Sequence, residues 1–410
     1  MKKILALLLV LVMTAALFAG CSGSEQSDGY KLTNQEKESE ITYILTAKKN
    51  GETVEYGKAP YLYYLQWLRD YYYAYITSIS SQLGSNAPTW DKMLESTLFT
   101  APDTLSQAIV STAQEQYMTY LFVEEKFNEL GLKLSEDEIK TVDALIQSDW
   151  IALYGHDGFN TIRQTLGLSY DEFWNIVACN TKTEKLIEYY YGEGGPLEVT
   201  KEDKQEYFEN YYARFKYVIF ATQDSDGNKY GEKKLNEVYA KRDAALAELD
   251  NGVPFEEVLA KYSEDYKDLS DEKLTVSQKQ AYEAQNKAMV EDGLVISDKG
   301  VFSETLATYY NITVEDGVVN KIFAMKDGDV QAITGSNAIW IVKRYDATEK
   351  EAYFNDVESL IFKALYAEDF ETTIKDWKAD LSYQFNLEAL DVYAPANLHD
   401  LFDLIGTTKK

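Results

Sequence analysis

The sequence predicts an α+β protein that is mostly helical. Three observations carry this reading. From Pro60 to about Tyr212, helix-start signals recur and apolar residues return at helical spacing. At Arg214 the pattern changes to β-branched and aromatic runs, and strands alternate with short helices as far as Tyr345. From Thr348 to Leu381 the chain reads as amphipathic helix again.

The N-terminus reads as an export signal. Met1-Lys2-Lys3 is a short basic start, and Ile4 to Leu17 is apolar and uncharged. That stretch is shorter than the roughly 20 residues a membrane span needs, and it fits a signal-peptide core. Phe18-Ala19-Gly20-Cys21 resembles a lipobox, with small residues beside the bond to be cut. The expectation is cleavage after residue 20 and a lipid on the Cys21 thiol. That would hold the protein on the extracytoplasmic face of the cell membrane. Residues 21–40, rich in Ser, Gly and acid at Ser22 to Asp28, read as a flexible tether.

Composition narrows the function classes. With 410 residues and 45% hydrophobic content, the chain can build more than one core. Asp and Glu number 68 against 40 Lys and Arg. Nucleic acid is therefore not expected as a partner, because binding it requires basic neutralisation. Electrostatic docking on anionic lipid is disfavoured for the same reason, which leaves the anchoring to acyl chains. Cys179 is the only cysteine besides Cys21, so the mature chain is not expected to hold an internal disulfide. Its neighbours Trp174 and Val177 place it in an apolar helical pattern, as a buried thiol.

The elements follow from local signals. Two β-rich runs between Ile41 and Val54 flank Asn50-Gly51, a hairpin turn pair. Pro60 opens a Tyr-rich helix with Tyr64, Trp67, Leu68, Tyr71, Tyr72 and Tyr75 as its apolar positions. Pro102 opens another, through Ile109, Ala113, Tyr117, Leu121 and Phe122, which ends at Gly131. Ser135 with Glu138, and Ser169 with Glu172, form capping boxes. Thr200 with Asp203 caps a further helix after the break at Gly192 to Pro196. Phe215 to Ala221 is a strand, Asp224 to Asn228 a polar turn, and Leu235, Tyr239, Arg242, Leu246 and Leu249 share a helix face. Asn251-Gly252 stops that helix, and Pro254 starts a short one ending near Ser263. Lys326 to Asp329 is a turn, and Ala338 to Tyr345 a last strand. Tyr353, Val357, Ile361, Leu365 and Phe370 lie on the returning helix.

At this point the residues resemble a known family. Phe215 to Phe220 is similar to the first strand of a parvulin-type prolyl isomerase. Asn251 to Asp265 resembles that family's G-x-x-F-x-x-x-A-x-x-Y-S-x-D helix. Phe323 to Val330 resembles its F-x-L-x-x-G-x-V segment, and Ile339 to Arg344 its last strand. The order of lipobox, helical module, parvulin unit and returning helix is the layout of PrsA- and SurA-like foldase lipoproteins. The resemblance implies a helical chaperone module of residues 41–212, completed by the C-terminal helix and tail, 347–410. A parvulin-like domain would be inserted at 213–346, with an insertion near 266–299 in place of the family's G-G-D-L-G loop.

The departures bear on activity. The family's two histidines correspond to Tyr217 and Trp340 here, and the chain's histidines, His156 and His399, lie outside the segment. Asp265 matches the family's acidic position, Phe323 matches an apolar one, and Val318 stands at the aromatic of the proline pocket. Those five residues are the candidate catalytic and substrate-binding positions that the resemblance implies. Tyr and Trp do not reproduce a histidine pair's hydrogen bonding, so weak or absent isomerase activity is expected.

No metal or cofactor is expected. Gly227 is misplaced for a calcium loop at Asp224, Asp226 and Asn228, and Gly192 to Gly195 does not sit in a strand-to-helix nucleotide loop. The Tyr-rich stripes at Tyr61 to Tyr75 and Tyr189 to Tyr191 read first as packing positions. They read second as a cleft for unfolded segments, which tyrosine suits because it buries area yet tolerates water. The reading is a membrane-anchored foldase or chaperone acting on unfolded, newly exported proteins, with a homodimer left open. The alternatives are an active prolyl isomerase with a rebuilt pocket, and a non-catalytic binding or adhesion lipoprotein.

Overall fold

A computed structural model describes residues 40–398 apart from 50, 84–87 and 301–313. The expected signal segment, Cys21, the tether at Ser22 to Asp28, and His399 lie outside these residues. In chain order the elements begin with β1 (Tyr43–Lys49), β2 (Glu52–Gly57), α1 (Ala59–Leu83), α2 (Trp90–Leu94) and α3 (Leu105–Glu129). Next come α4 (Glu136–Leu145), α5 (Ala152–Leu166) and α6 (Tyr170–Tyr191), with a π-helical turn at Ile146–Ile151 joining α4 to α5. Then follow α7 (Lys201–Tyr211), β3 (Tyr212–Ala221), α8 (Glu232–Asp250), α9 (Phe255–Tyr262), α10 (Val276–Glu291) and β4 (Leu294–Ser297). The chain continues through α11 (Asp316–Ala324), β5 (Val330–Thr334), β6 (Ala338–Tyr345), α12 (Glu351–Asn355), α13 (Glu358–Asp380), β7 (Tyr383–Phe385) and α14 (Leu387–Val392). The molecule is thus α+β, mostly helical with two small sheets. No helix among the described residues is long and apolar enough to cross a membrane.

The described residues up to Leu197 and from Asp369 onward form one compact unit, and Glu198–Glu368 form another. The change of pattern at Arg214 marks the sheet of the second unit, but that unit begins earlier, with α7. It also retains the start of the returning helix: Tyr353, Phe354, Val357 and Ile361 are all buried in its core.

In the first unit, β1 and β2 form the expected hairpin around Gly51, whose φ of +84° suits glycine. The C-terminal strand β7 pairs antiparallel with the other edge of β1, Leu45 opposite Phe385 and Ala47 opposite Tyr383. The capping boxes at Ser135/Glu138 and Ser169/Glu172 form as read from sequence, as does the one at Thr200/Asp203 in the second unit. α3 does not start at Pro102. Thr104 and Gln107 make a capping box, and the two reciprocal hydrogen bonds set the start at Leu105. In α1 the buried face is Tyr61, Leu62, Leu65, Leu68 and Ile76, while Tyr75 is 46% exposed. Tyr61 is as dry as the leucines, and Tyr75 lies at the margin. Phe370 and Trp377 of α13 pack edge-on against Phe122, and the Tyr191 hydroxyl donates to Asp369 Oδ2 at 2.7 Å. Cys179 is buried, and that burial pushes its thiol up to about 12.

In the second unit the sheet order is β4-β3-β6-β5, all antiparallel neighbours. The stretch read as a polar insertion supplies two of the unit's elements. Thr275 and Gln278 cap α10, and Leu294–Ser297 is a fully buried edge strand on β3. Gly293 makes the reversal between them. Its φ is +75°, and a Cβ there would lie 2.5 Å from the Phe215 carbonyl oxygen. The α8 face that packs inward is centred on Val238 and Ala245, with Tyr239 38% exposed.

Candidate functional site

The site grows out of β3. Its side chains alternate between two faces, and its backbone pairs with β6 in the register Tyr217 to Val342 and Ile219 to Trp340. Directly paired residues share a face, so Phe215, Tyr217, Ile219, Trp340 and Val342 lie together. The Tyr217 and Trp340 rings meet at 5.2 Å with planes inclined 50°.

β4 covers the edge of β3 only from Tyr212 to Phe215. Beyond it the chain leaving α9 takes over. The Ile219 N–H donates to Ser263 Oγ at 3.3 Å, Glu264 N–H donates to the Ile219 carbonyl at 3.1 Å, and Ala221 N–H donates to Glu264 Oε2 at 3.0 Å. These bonds satisfy edge groups that would otherwise invite another strand. They also hold Asp265, half-buried, beside the aromatic face, where the Tyr217 hydroxyl donates to Asp265 Oδ2 at 2.9 Å.

Three of the five candidate positions therefore converge: Asp265, Tyr217 and Trp340. Both rings are 2% exposed. The Trp340 indole N–H is buried with no hydrogen-bond partner among the described residues. Val318, on α11, is fully buried in the core of the same unit. Phe323 packs on that core from the end of α11, half-buried, with the Arg344 guanidinium over its ring at 5.9 Å. Arg344 also donates from Nη1 to the carbonyls of Ile322, Phe323 and Met325, at 3.2, 3.1 and 2.8 Å. It thereby satisfies the open C-terminal carbonyls of α11.

The opposite face of β3 carries charge. Arg214 is 2% exposed. It donates to the carbonyls of Asp292 (2.6 Å) and Glu291 (3.3 Å), pairs with Glu349, and lies over the Tyr345 and Tyr353 rings. Lys216, 6% exposed, donates to Glu256 Oε1 at 2.7 Å and to the Val290 carbonyl at 2.5 Å. Both cations thus close the C-terminal end of α10, where the helix dipole is negative. Glu256 also accepts from the Tyr345 hydroxyl at 2.8 Å. Burial opposes ionisation of Glu256, but hydrogen bonds from Lys216 and Tyr345 hold its carboxyl below the usual carboxylate range. Burial, then the hydrogen bond to Glu256, pushes the Tyr345 hydroxyl up. Sequence reading missed this array, since nothing local to Arg214 or Lys216 points to carbonyls more than seventy positions later.

In the first unit, Tyr63, Gln66, Trp67 and Asp70 of the Tyr-rich helix line a small cleft with Trp150, Ile162 and Leu166. A buried polar group lies behind this lining. Arg69 Nη1 and Gln66 Nε2 donate to the buried Asp70 carboxylate at 2.7 and 2.8 Å. Trp150 reaches the cleft from the π-helical turn and packs edge-on against Phe173 at 5.0 Å. In the turn at Asp224, the carboxylate accepts from the Asp226 and Asn228 amides at 3.0 and 2.8 Å, so it closes a loop on itself. His156 is exposed on α5.

No family model matches the chain, and no curated protein matches it. Among the solved structures similar to it are two of PrsA proteins. PrsA from Bacillus subtilis is 15% identical, with 66% of this chain and 85% of that chain covered, at a TM-score of 0.22. The foldase protein PrsA from Streptococcus pneumoniae str. Canada MDR_19A is 15% identical, with 69% and 84% covered, at a TM-score of 0.27. Overlap at so low a score carries no weight for what this chain does.

Proposed function

We propose that the protein is a membrane-anchored extracytoplasmic chaperone of the foldase type, held by a lipid on Cys21, whose parvulin-like sheet unit is weak or inactive as a prolyl isomerase. The observation that supports this most is the packing of Tyr217 against Trp340. These residues stand where the resembled family has its histidine pair, and each is 2% exposed. Rotation about an X–Pro bond needs no covalent step. It needs a pocket that grips the proline ring and strips water from the amide, so lowering a barrier of roughly 18–20 kcal/mol. Two large buried rings in contact leave little room for that ring. The clients are unfolded exported polypeptides, and the Tyr-lined surfaces of the first unit suit them.

The test is isomerisation of a prolyl peptide together with suppression of a client's aggregation. Rates close to the uncatalysed one, tens to hundreds of seconds, with clear suppression of aggregation, are expected. A second reading, an active isomerase with a rebuilt pocket, draws on the unpartnered Trp340 N–H, a donor on the same face as the Tyr217–Asp265 pair. Robust catalysis that falls on Asp265→Ala would establish it. Cys21→Ala is expected to abolish lipid labelling, and unchanged labelling would remove the anchor from the proposal.

A further inference from the structure

The segment between α2 and α3 holds apolar side chains out of the fold. Leu105 N–H donates to the Ser96 carbonyl at 2.9 Å and closes it into a loop. Inside, Thr100 N–H reaches the Thr97 carbonyl at 3.3 Å, and Asp103 N–H reaches the Thr100 carbonyl at 3.1 Å. Leu98 N–H donates to Ser96 Oγ at 3.1 Å, and the Thr100 hydroxyl to the Asp103 carbonyl at 2.8 Å. Buried Met93 and Leu94 anchor one end, and buried Leu105 the other. The loop's order therefore comes from its own polar groups and its ends. Its two consecutive large apolar residues take no part: Leu98 is 72% exposed and Phe99 40%. Tyr75 of α1, 46% exposed, meets Phe99 edge-on at 5.9 Å and extends the patch.

A single exposed leucine is ordinary. A hydrogen-bonded loop that presents two adjacent apolar side chains beside a third is a preorganised contact, because little ordering remains to be done on binding. The charge around it selects the partner. Asp91, Glu95 and Asp103 are exposed on the loop and the helix before it, against Lys92, in a chain of net charge −28. Like charge disfavours a second copy and an anionic bilayer, and opposite charge favours a basic segment.

We propose that the Leu98–Phe99 loop with Tyr75 is a docking surface for unfolded polypeptide segments in which apolar residues are flanked by Lys or Arg. This deepens the chaperone reading and rests on it. The probe is a fluorescently labelled peptide with an apolar centre, made once with Lys flanks and once with Glu flanks. Its anisotropy is measured against the full chain carrying Cys21→Ala, with and without Leu98→Ser and Phe99→Ser, and with Leu387→Ser, a 73% exposed leucine elsewhere, as control. The expected result is affinity about tenfold higher for Lys flanks than for Glu flanks at low salt. The double variant should lose that affinity at unchanged helicity and unfolding midpoint, while Leu387→Ser keeps it. Equal binding by the double variant overturns the proposal. So does a vesicle-bound or dimeric wild type that the double variant releases, since bilayer or second copy would then be the occupant. Aggregation suppression without peptide binding at this loop overturns it and leaves the chaperone reading standing. Absence of both overturns the two together.

Discussion

The two faces of β3 are buried alike and built oppositely. One carries Arg214 and Lys216, two cations whose donors reach three successive carbonyls at the end of α10 and the carboxylates of Glu349 and Glu256. The other carries Tyr217 against Trp340, neutral rings with a hydrogen bond from Tyr217 to Asp265 and an indole N–H that no group among the described residues accepts. Charge inside a protein persists where its partners are supplied. The charged face, which a search for chemistry would visit first, is therefore scaffold. The neutral face holds two of the residues that the family resemblance singles out, Tyr217 and Trp340, with Asp265 beside them.

If this contrast is right, damage to the charged face should register as stability, and damage to the neutral face should register far less. The largest loss is expected for Arg214→Met, about 3 kcal/mol or more, the scale of removing one member of a buried ionic cluster. Denaturant unfolding of the second unit measures it, and a loss under 1 kcal/mol would make Arg214 incidental. Next is Gly293→Ala, where a left-handed backbone and a clash with the Phe215 carbonyl combine to about 2–4 kcal/mol. Wild-type stability in that variant would mean the α10–β4 reversal can relax. Tyr217→Phe is expected to lose about 1 kcal/mol, the size of one hydrogen bond, and to leave prolyl-peptide rates unchanged. A loss as large as that of Arg214→Met would erase the distinction between the faces.

The smallest effect is one of pH. Glu256 is held below the usual carboxylate range when folded. Its contribution is then fully present above its unfolded pKa, about 4.3, and is lost as pH falls through the lower folded value. Glu256→Gln should lower stability modestly at neutral pH, where the contribution is fully present, and leave the lowest pH nearly untouched, so that the acid side of the stability curve flattens. An unaltered acid limb would show that the Lys216–Glu256–Tyr345 contacts carry no net weight.

What the sequence made legible was local. The capping boxes at Ser135, Ser169 and Thr200, the hairpin at Gly51 and the strand Ala338–Tyr345 all declare themselves within a few residues. Leu294–Ser297 did not, because three apolar residues and a serine behind a polar helix are too short a run to show a period. Of the face read from Tyr64 to Tyr75, Leu68 is buried and Tyr64 packs against Tyr120, but Tyr75 is exposed, because tyrosine counts as apolar in a periodicity search although its hydroxyl tolerates water. Asp265, Tyr217 and Trp340 were singled out only through the family resemblance, since they lie far apart in the chain. The Leu98–Phe99 loop gave no signal, for the bond that closes it, Leu105 N–H to the Ser96 carbonyl, joins backbone groups and leaves no mark on residue type.

The pairing of β1 with β7 sets a timetable. Thr46 and Gln384 are neighbours in space and 338 positions apart in the chain. Closing so long a loop is slow relative to local pairing. The second unit is one uninterrupted stretch, Glu198–Glu368, and can complete its sheet as soon as that stretch is free. The first unit must hold β1 with one edge unclaimed until Tyr383–Phe385 arrives. In a chain that emerges from its N-terminus, the module that starts first finishes last, and its open strand edge waits beside every residue made before β7.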